Sequence, residues 1–374
     1  MTTLIAWRNL RYDPVRFAAT VIGIVFAVVL ISMQTGMLFG FIRASAGLVE
    51  RSGADVWVIA QGTSNVDQSG ILRQPIFYRA LAVPGVADVS RTIIQFTGWR
   101  KPAGGTESVI IVGFDPQTRL AAPWNVVEGS IEALSAPNAV MIDRLYAEKL
   151  GVKAIGDRVE IAERRAVIVG FTEGVRTFTQ SPYVFTSYAN ALRYTNIPDG
   201  DASYMLVKAG PGVDPAALAA ELGTVLAKED VLTTVDFAAR TRDYWILTTG
   251  AGSALVLGAA LGALVGVVIV AQTLYAATVE RLAEYATLSA IGAGSGYLNA
   301  IVLKQAMIAG TIGFVIAGTI AWMMAASSTS SPAAILLSPL TLLMIGVLTL
   351  GMCALASLIA VRKLYSIDPT SVFR

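Results

Sequence analysis

The sequence predicts an α-helical membrane protein with four transmembrane helices plus a mixed α/β extracytoplasmic domain. Three observations predict it. Hydrophobic residues make up 55% of the chain and charged ones only 14%, against about a quarter charged in a soluble domain. Charge-free apolar stretches run from Phe17 to Ile42, from Tyr244 to Val279 and, after Lys304, to Val361. A helix needs about 20 such residues to cross a bilayer. Between the first two stretches, short strand-like runs alternate with turn signals over residues 41–245.

Taken in order, residues 1–16 form an amphipathic cytoplasmic elbow. Leu4, Ile5 and Trp7 suit the interface, Arg8 and Arg11 the headgroups, and Asp13-Pro14 breaks the segment. The first span covers 17–40; its apolar run is too long for a signal peptide, and no small-residue cleavage site follows cleanly. The other spans cover 246–273, 297–325 and 335–361. The last charge-free stretch holds two of them, because Ser327–Pro332 is polar and ends in a helix breaker. Arg8, Arg11 and Arg16 precede span one, Arg281 and Lys304 lie near the 274–296 loop, and Arg362, Lys363 and Arg374 mark the 362–374 tail. The turn at 326–334 has no basic residue. By the positive-inside rule both termini and the middle loop face the cytoplasm, and 41–245 lies outside.

In that outer region Asp55–Ala60, Arg91–Trp99, Ser108–Phe114, Arg158–Ala162 and Ala166–Phe171 read as strands. Asp143–Leu150 and Asp214–Lys228 read as helices, the second capped by Asp214 with Pro215 at its first position. Trp99, Trp124, Phe178, Tyr183 and Tyr194 fit either an apolar groove or ordinary core, core being the commoner use.

The chain contains no histidine and one cysteine, Cys353, in an apolar run. The commonest general base is therefore missing, an intrachain disulfide and a thiolate zinc site are excluded, and no metal or cofactor site is expected. Ser181, Ser187 and Ser203 have no histidine partner, and Gly104-Gly105 is a turn with no Lys-Ser or Lys-Thr after it. There is no Walker A motif, so a non-catalytic subunit is expected. The net charge of +2, with scattered basic residues, argues against nucleic acid.

Two segments stand out. Gly258, Gly262 and Gly266 repeat at four-residue spacing on one face of span two, a pattern that lets helix backbones approach closely in lipid, within one subunit or between two. Between spans two and three, Val279–Ile291 is helical, with Gly292 as its C-cap. Glu280 and Glu284 share a face that Leu288 continues, with Ile291 beside it. Such a face fits docking into a protein groove. It also fits a solvated helix at the membrane surface, since Arg281 can pair with Glu284.

These residues resemble the FtsX/MacB-like ABC transporter permeases (type VII). The resemblance rests on Trp7-Arg8-Asn9-Leu10 at the start; on Glu280-Arg281, Glu284-Tyr285, Leu288 and Ala290-Ile291-Gly292-Ala293 in the middle loop; and on Asp368-Pro369 with Phe373-Arg374 at the end. Outside, Leu150-Gly151 and Gly156-Asp157 before a hairpin ending at Val169-Gly170 resemble the MacB-like periplasmic core. Ser289 stands where the family usually has Arg. Ser52-Gly53-Ala54-Asp55-Val56-Trp57-Val58 and Met33-Gln34-x-Gly36 look closest to the DevC-like branch. The resemblance implies a homodimer in the bacterial inner membrane with its large domain in the periplasm. It implies that Glu280, Arg281, Glu284, Tyr285, Leu288, Ile291 and Gly292 contact a separate ABC ATPase, which binds ATP-Mg. Motion would pass outward through helical extensions at Phe41–Arg51 and Asp236–Trp245, called mechanotransmission. It would drive efflux of an amphiphilic or lipid-like compound with a periplasmic adaptor (membrane fusion protein) and an outer-membrane duct. FtsX-like envelope signalling to a cell-wall hydrolase, or lipoprotein release, are the alternatives.

Overall fold

The computed structural model describes residues 2–177, 179, 181–280, 287, 295–328 and 335–364. The chain opens with α1 (Thr2–Tyr12), α2 (Pro14–Ser45) and the single turn α3 (Gly47–Glu50). Then follow β1 (Val56–Ala60), α4 (Gln74–Leu81), β2 (Val86–Arg100), β3 (Thr106–Phe114), β4 (Val126–Gly129) and β5 (Ala139–Asp143). Next come α5 (Ala147–Leu150), β6 (Arg158–Ile161), β7 (Arg164–Thr172), β8 (Tyr183–Ser187), α6 (Tyr188–Tyr194) and β9 (Tyr204–Ala209). The chain continues through α7 (Pro215–Val225), β10 (Glu229–Thr233), α8 (Thr234–Asp243), α9 (Ala251–Glu280), α10 (Ser295–Ser327) and α11 (Pro339–Leu364). The described residues divide into two compact units, one made of those up to Phe39, of Ser253–Ser328 and of 335–364, the other of Gly40–Gly252.

The first unit is helical. Four helices are long and apolar enough to cross a membrane, within Pro14–Ser45, Ala251–Thr273, Asn299–Ser327 and Pro339–Leu358. Asp13 caps α2: its carboxylate accepts the Arg16 N–H at 3.2 Å and pairs with the Arg16 guanidinium at 3.1 Å, while Pro14 opens the helix. α1 packs Ala6 against Ile301 and Val302 of α10. The Lys304 ammonium donates to Thr2 and Thr3 hydroxyls, which supplies partners for a charge set in an apolar helix. Cys353 is buried, its sulfur against Gly310, as a small hydrophobe. The second span is expected from Ile246, but the helix itself opens at Ala251, because Gly250 adopts φ +73° just before it.

The second unit is mixed α/β, built on a ten-stranded sheet in the order β10-β1-β9-β2-β3-β8-β5-β7-β4, with β6 paired to β2 and β7. β2 is the shared element. Its first half, Val86–Thr92, pairs with β9, and its second half, Ile93–Arg100, pairs with β3. Three apolar clusters follow from this. One lies under α4 and α7 around Val58, Met205 and Leu222. One lies around Trp99, Ile142 and Tyr194. The central one holds Trp57, Tyr204, Phe185 and Phe237. Trp57 meets Tyr204 edge-on at 5.3 Å and Phe237 at 5.2 Å.

The aromatics named above are core rather than groove. Trp99, Tyr183 and Tyr194 are buried, Trp99 Nε1 donates to the Leu150 carbonyl at 3.1 Å, and Trp124 packs edge-on against Phe185. Phe178 lies outside the described residues. Asp143–Leu150 is a short 3-10 turn, Arg144–Tyr146, followed by α5, since the buried Asp143 carboxylate caps Leu145 and also accepts Val175 N–H and Thr172 hydroxyl. Burial raises the Asp143 pKa despite those three donors.

Candidate functional site

Two connectors carry the chain into and out of the outer unit. In the outer unit the chain enters through the end of α2 and α3, and leaves through α8. Ser45 ends α2 by donating to the Ile42 carbonyl at 2.9 Å, and Ala46 interrupts the helix before α3. Ala46, Leu48 and Val49 are buried in the central cluster beside Phe237 and Ala238 of α8. The two connectors thus bury their apolar faces in one core. Their outer faces are joined by an ion pair, Arg242 to Glu50. Arg51 lies over the Trp124 ring at 5.4 Å, which adds a cation–π contact at the end of α3.

Local sequence explains the placement. Thr233 caps α8, accepting the Asp236 N–H at 3.1 Å, and Asp236 accepts the Thr233 hydroxyl at 2.6 Å. Arg240, one turn before the end of α8, pairs with Asp230 of β10 at 2.9 Å and donates to the Thr63 carbonyl at 3.4 Å. The same helix face therefore grips the loop after β1. After Asp243 the chain widens into a π turn, Tyr244–Thr248. Gly250 and Gly252 follow it. A Cβ at Gly252 would lie 2.6 Å from the Ile246 Cα, so only glycine permits this tight re-entry into α9. Here a π turn and a left-handed glycine meet, both of which mark functional bends more often than ordinary helix does.

The four-spaced glycines of α9 meet α2 of the same chain. A Cβ at Gly258 would fall 2.9 Å from the Gln34 side chain, one at Gly262 3.2 Å from Leu30, and one at Gly266 2.8 Å from the Ala27 Cβ. Gly23 of α2 faces Ile269 in the same way, at 2.4 Å. Partner numbers rise on one helix as they fall on the other, so the two run antiparallel with a small-residue seam. The opposite face of α9 leaves Leu257, Leu261 and Leu264 exposed.

Of the ATPase-contact residues expected from sequence, Arg281, Glu284, Tyr285, Leu288, Ile291 and Gly292 lie outside the described residues. Glu280 closes α9, with its side chain undescribed. Glu50, Arg242 and Arg240 were not singled out from sequence. Glu50 and Arg242 stand 192 residues apart, and nothing local to either links them. Among the described residues no group of His, Cys, Asp or Glu could hold a metal ion.

Comparison with known proteins bears on the whole chain. Residues 17–225 match the MacB-like periplasmic core domain, and residues 256–369 match the FtsX-like permease C-terminal domain. An ABC transporter permease of Mycobacterium tuberculosis, described as uncharacterized, is 24% identical over 316 residues, covering 83% of this chain and 82% of its own, in each of two strains. Among solved structures, the periplasmic region of MacB from Actinobacillus actinomycetemcomitans aligns with 52% of this chain and 96% of its own at 12% identity and TM-score 0.38. The extracellular domain of the transporter YknZ from Gram-positive bacteria aligns with 48% of this chain and 98% of its own, at 15% identity and TM-score 0.37.

Proposed function

We propose, since the chain belongs to the FtsX/MacB-like ABC transporter permeases, that it couples ATP hydrolysis by a separate ATPase to motion of its outer domain. The observation that carries this reading is the joined pair of connectors. Leu48 and Val49 share one core with Phe237, and Glu50 is tied to Arg242. A joint movement of α2 and α9 would reach this point first, because α3 follows α2 and α8 precedes α9. The tight glycine contacts along α2 and α9 support movement of the two helices as a pair.

In this reading the helix carrying Glu280, Arg281, Glu284, Tyr285, Leu288, Ile291 and Gly292 docks the ATPase on the cytoplasmic side. The protein sits in the inner membrane with both termini inside and works as a homodimer. We place it on the DevC-like branch from Ser52–Val58 and Met33-Gln34-x-Gly36. The proposed work is efflux of an amphiphilic or lipid-like compound, with a periplasmic adaptor and an outer-membrane duct. No Asp, Glu, Lys or Arg lies between Phe17 and Ile42 or between Tyr244 and Val279, which favours a mechanical role over a polar path through these helices.

The test is ATPase activity of the matched ATPase, with and without this chain in lipid. The expected result is co-purification and stimulated turnover, with stimulation lost in Leu288→Asp and Glu284→Lys. No co-purification and no stimulation by the unmodified chain would refute the reading.

A further inference from the structure

The second half of β2 pairs along one edge with β3. On its other edge β2 changes partner. Val86–Thr92 pair with β9, ending at Thr92 with Tyr204, and Trp99 and Arg100 pair with β6. Between these two, no strand among the described residues lies against that edge. β9 does not reach it, because the chain before Tyr204 turns aside and Ala202 bridges to Leu72. The lane that β9 leaves empty runs between the end of β1 and Ile94–Phe96 of β2. It is an open cleft of about 650 Å³, a volume usual for ligand sites.

Hydrogen bonds show which residues of β2 face this lane. In an antiparallel ladder, alternate residues turn both N–H and C=O to the same side. The Ile94 N–H donates to the Ser203 hydroxyl at 3.2 Å, and the Ile94 carbonyl accepts the Ser69 hydroxyl at 3.1 Å. The Gly98 carbonyl accepts the Ala162 N–H at 2.9 Å. All of these bonds lie on the edge away from β3. Phe96 sits midway, so its N–H and C=O point to that edge as well. No described residue pairs with either group. At Ile94 two hydroxyls take the part of a missing strand, and at Phe96 nothing does. The Phe96 side chain is 41% exposed, and Ile71, also in the lining, is 52% exposed.

The open pair selects its ligand. One donor and one acceptor on the same residue, set in the plane of a sheet, are matched by another residue in extended conformation. A hydrocarbon would cover both groups without satisfying either, which is costly. An anion finds no lysine or arginine in the lining. A divalent metal ion needs several ligands and finds one carboxylate, Asp67. The lane also sets direction and length. β9 runs antiparallel to both β1 and β2, so a segment that continues its lane does the same. Ile94 and Gly98 are already bonded, and the gap between them, at about 3.3 Å per residue, admits about three residues. We propose that this slot takes an extended segment of a second polypeptide. One of its residues exchanges both backbone hydrogen bonds with Phe96, and that residue's apolar side chain lies beside the Phe96 ring and Ile71.

The slot suits a specific short guest. A long open edge invites indiscriminate pairing between sheets. Here Ser69 and Ser203 close it on one side and Ala162 on the other, so one residue is left to pair. The slot also has a route to the connectors. Thr63, in the wall that follows β1, gives its carbonyl to Arg240 of α8 at 3.4 Å. A segment seated in the slot therefore lies against the loop that α8 grips.

The test uses the full chain in lipid nanodiscs and a radiolabelled blocked tripeptide, acetyl-Thr-Val-Thr-amide. A second probe replaces the valine by its hydroxy acid, which swaps the central N–H for an ester oxygen and adds no bulk. Empty nanodiscs are subtracted, and binding is read by equilibrium dialysis. The expected result is saturable binding of the amide, about tenfold tighter than the ester, because the ester cannot donate to the Phe96 carbonyl. Phe96→Pro removes the matching N–H at a position that makes no bond to β3, where proline is tolerated, and should weaken the amide about tenfold. Ile71→Ser, on the exposed loop, leaves β2 untouched and should weaken it several-fold. Uptake that never saturates, an ester that binds the unmodified protein as tightly as the amide, or unchanged binding in both variants would overturn the proposal. The slot stands apart from the ATP-coupled role, so either experiment can fail while the other succeeds.

Discussion

The membrane helices and the outer domain solve the same packing problem with opposite materials. In the outer domain large side chains do the filling: Trp57, Trp99, Phe185 and Phe237 are fully buried and meet ring to ring or ring to strand. In the membrane unit the contacts are made by what is missing. Gly23, Gly266 and Gly313 each face a neighbouring helix at distances a methyl group would not fit without a shift. The large apolar residues Leu257, Leu261 and Leu264 point away from the unit, 59–62% exposed. Water drives burial in the first case. In lipid it does not, since acyl chains are as apolar as leucine, and close backbone approach replaces it. The comparison makes the outer domain sensitive to losing atoms and the helices sensitive to gaining them.

The largest effect should come from Trp57. Trp57→Ala removes the ring that both Tyr204 and Phe237 lean on, and core truncations of this size cost about 3–5 kcal/mol. We expect the outer domain to unfold or to be cleaved readily by limited proteolysis, while the helices still insert. Resistance equal to the unmodified protein would break the first half of the comparison. The second half is sharpened by a pair of glycines. At Gly266 an added Cβ would lie 2.5 Å from Met352 Cε and 2.8 Å from Ala27 Cβ, whereas at Gly351 nothing lies within 4 Å. Gly266→Val should cost about 1–3 kcal/mol by overpacking. Gly351→Ala should be neutral or slightly stabilising. Heat-induced loss of the monodisperse protein in nanodiscs measures both, and equal behaviour of the two variants would contradict the seam.

How much of this was readable beforehand follows the same division. The membrane helices were legible because the absence of charge is a property of a continuous run. The start of the second one was not, because the run at Ile246 continues through a π turn and Gly250 before regular helix begins. In the outer domain Asp214 and Pro215 announced α7, and the capping bond to Ala217 N–H is there at 3.2 Å. β2 was read too short. Its first half, Val86–Ser90, mixes polar and apolar residues without a clear period and becomes a strand only by pairing with β9, which is itself buried on both faces. β8 was missed for the same reason: all five residues are buried, so no alternation shows. The ion pair between the connectors, Glu50 with Arg242, joins segments 192 residues apart. Charge and polarity at single positions do not reveal it.

Asp67 tests whether the outer domain gives up stability at a single buried carboxyl. Its carboxyl is raised from 3.8 to about 6, chiefly by burial, with Trp245 pulling the other way. Between those two values the folded chain holds a proton that the unfolded chain has released. Stability therefore falls as pH rises from about 4 to about 6 and then levels off. Allowing for partial solvent screening, the ionised group costs about 2 kcal/mol at neutral pH. Asp67→Asn should recover much of that at neutral pH and flatten the slope, read from denaturation midpoints at several pH values. A variant less stable than the unmodified protein at neutral pH would show that the carboxylate is a structural anchor instead.

The smallest effect on stability is expected where the two regions' chain segments are joined. Glu50 and Arg242 are 44% and 30% exposed in their side chains, and ion pairs this open contribute about 0.2–1 kcal/mol. A double-mutant cycle on Glu50→Ala and Arg242→Ala should return a coupling of that size in thermal stability. The functional readout is expected to be much larger than this small energy implies. If the pair keeps the connectors moving together, either variant should still co-purify with the ATPase and still stimulate its turnover. Motion of the outer domain on ATP addition, followed by fluorophores on Arg158→Cys in the two copies of the proposed homodimer in a Cys353→Ala background, should fall. The charge-reversed pair Glu50→Arg with Arg242→Glu should restore it. A double reversal that restores nothing, with single variants that move normally, would leave the buried Leu48, Val49 and Phe237 as the whole of the joint. That outcome would mean the outer domain is held the way its own core is, by burial alone, with no charge set on its surface to tie the two connectors together.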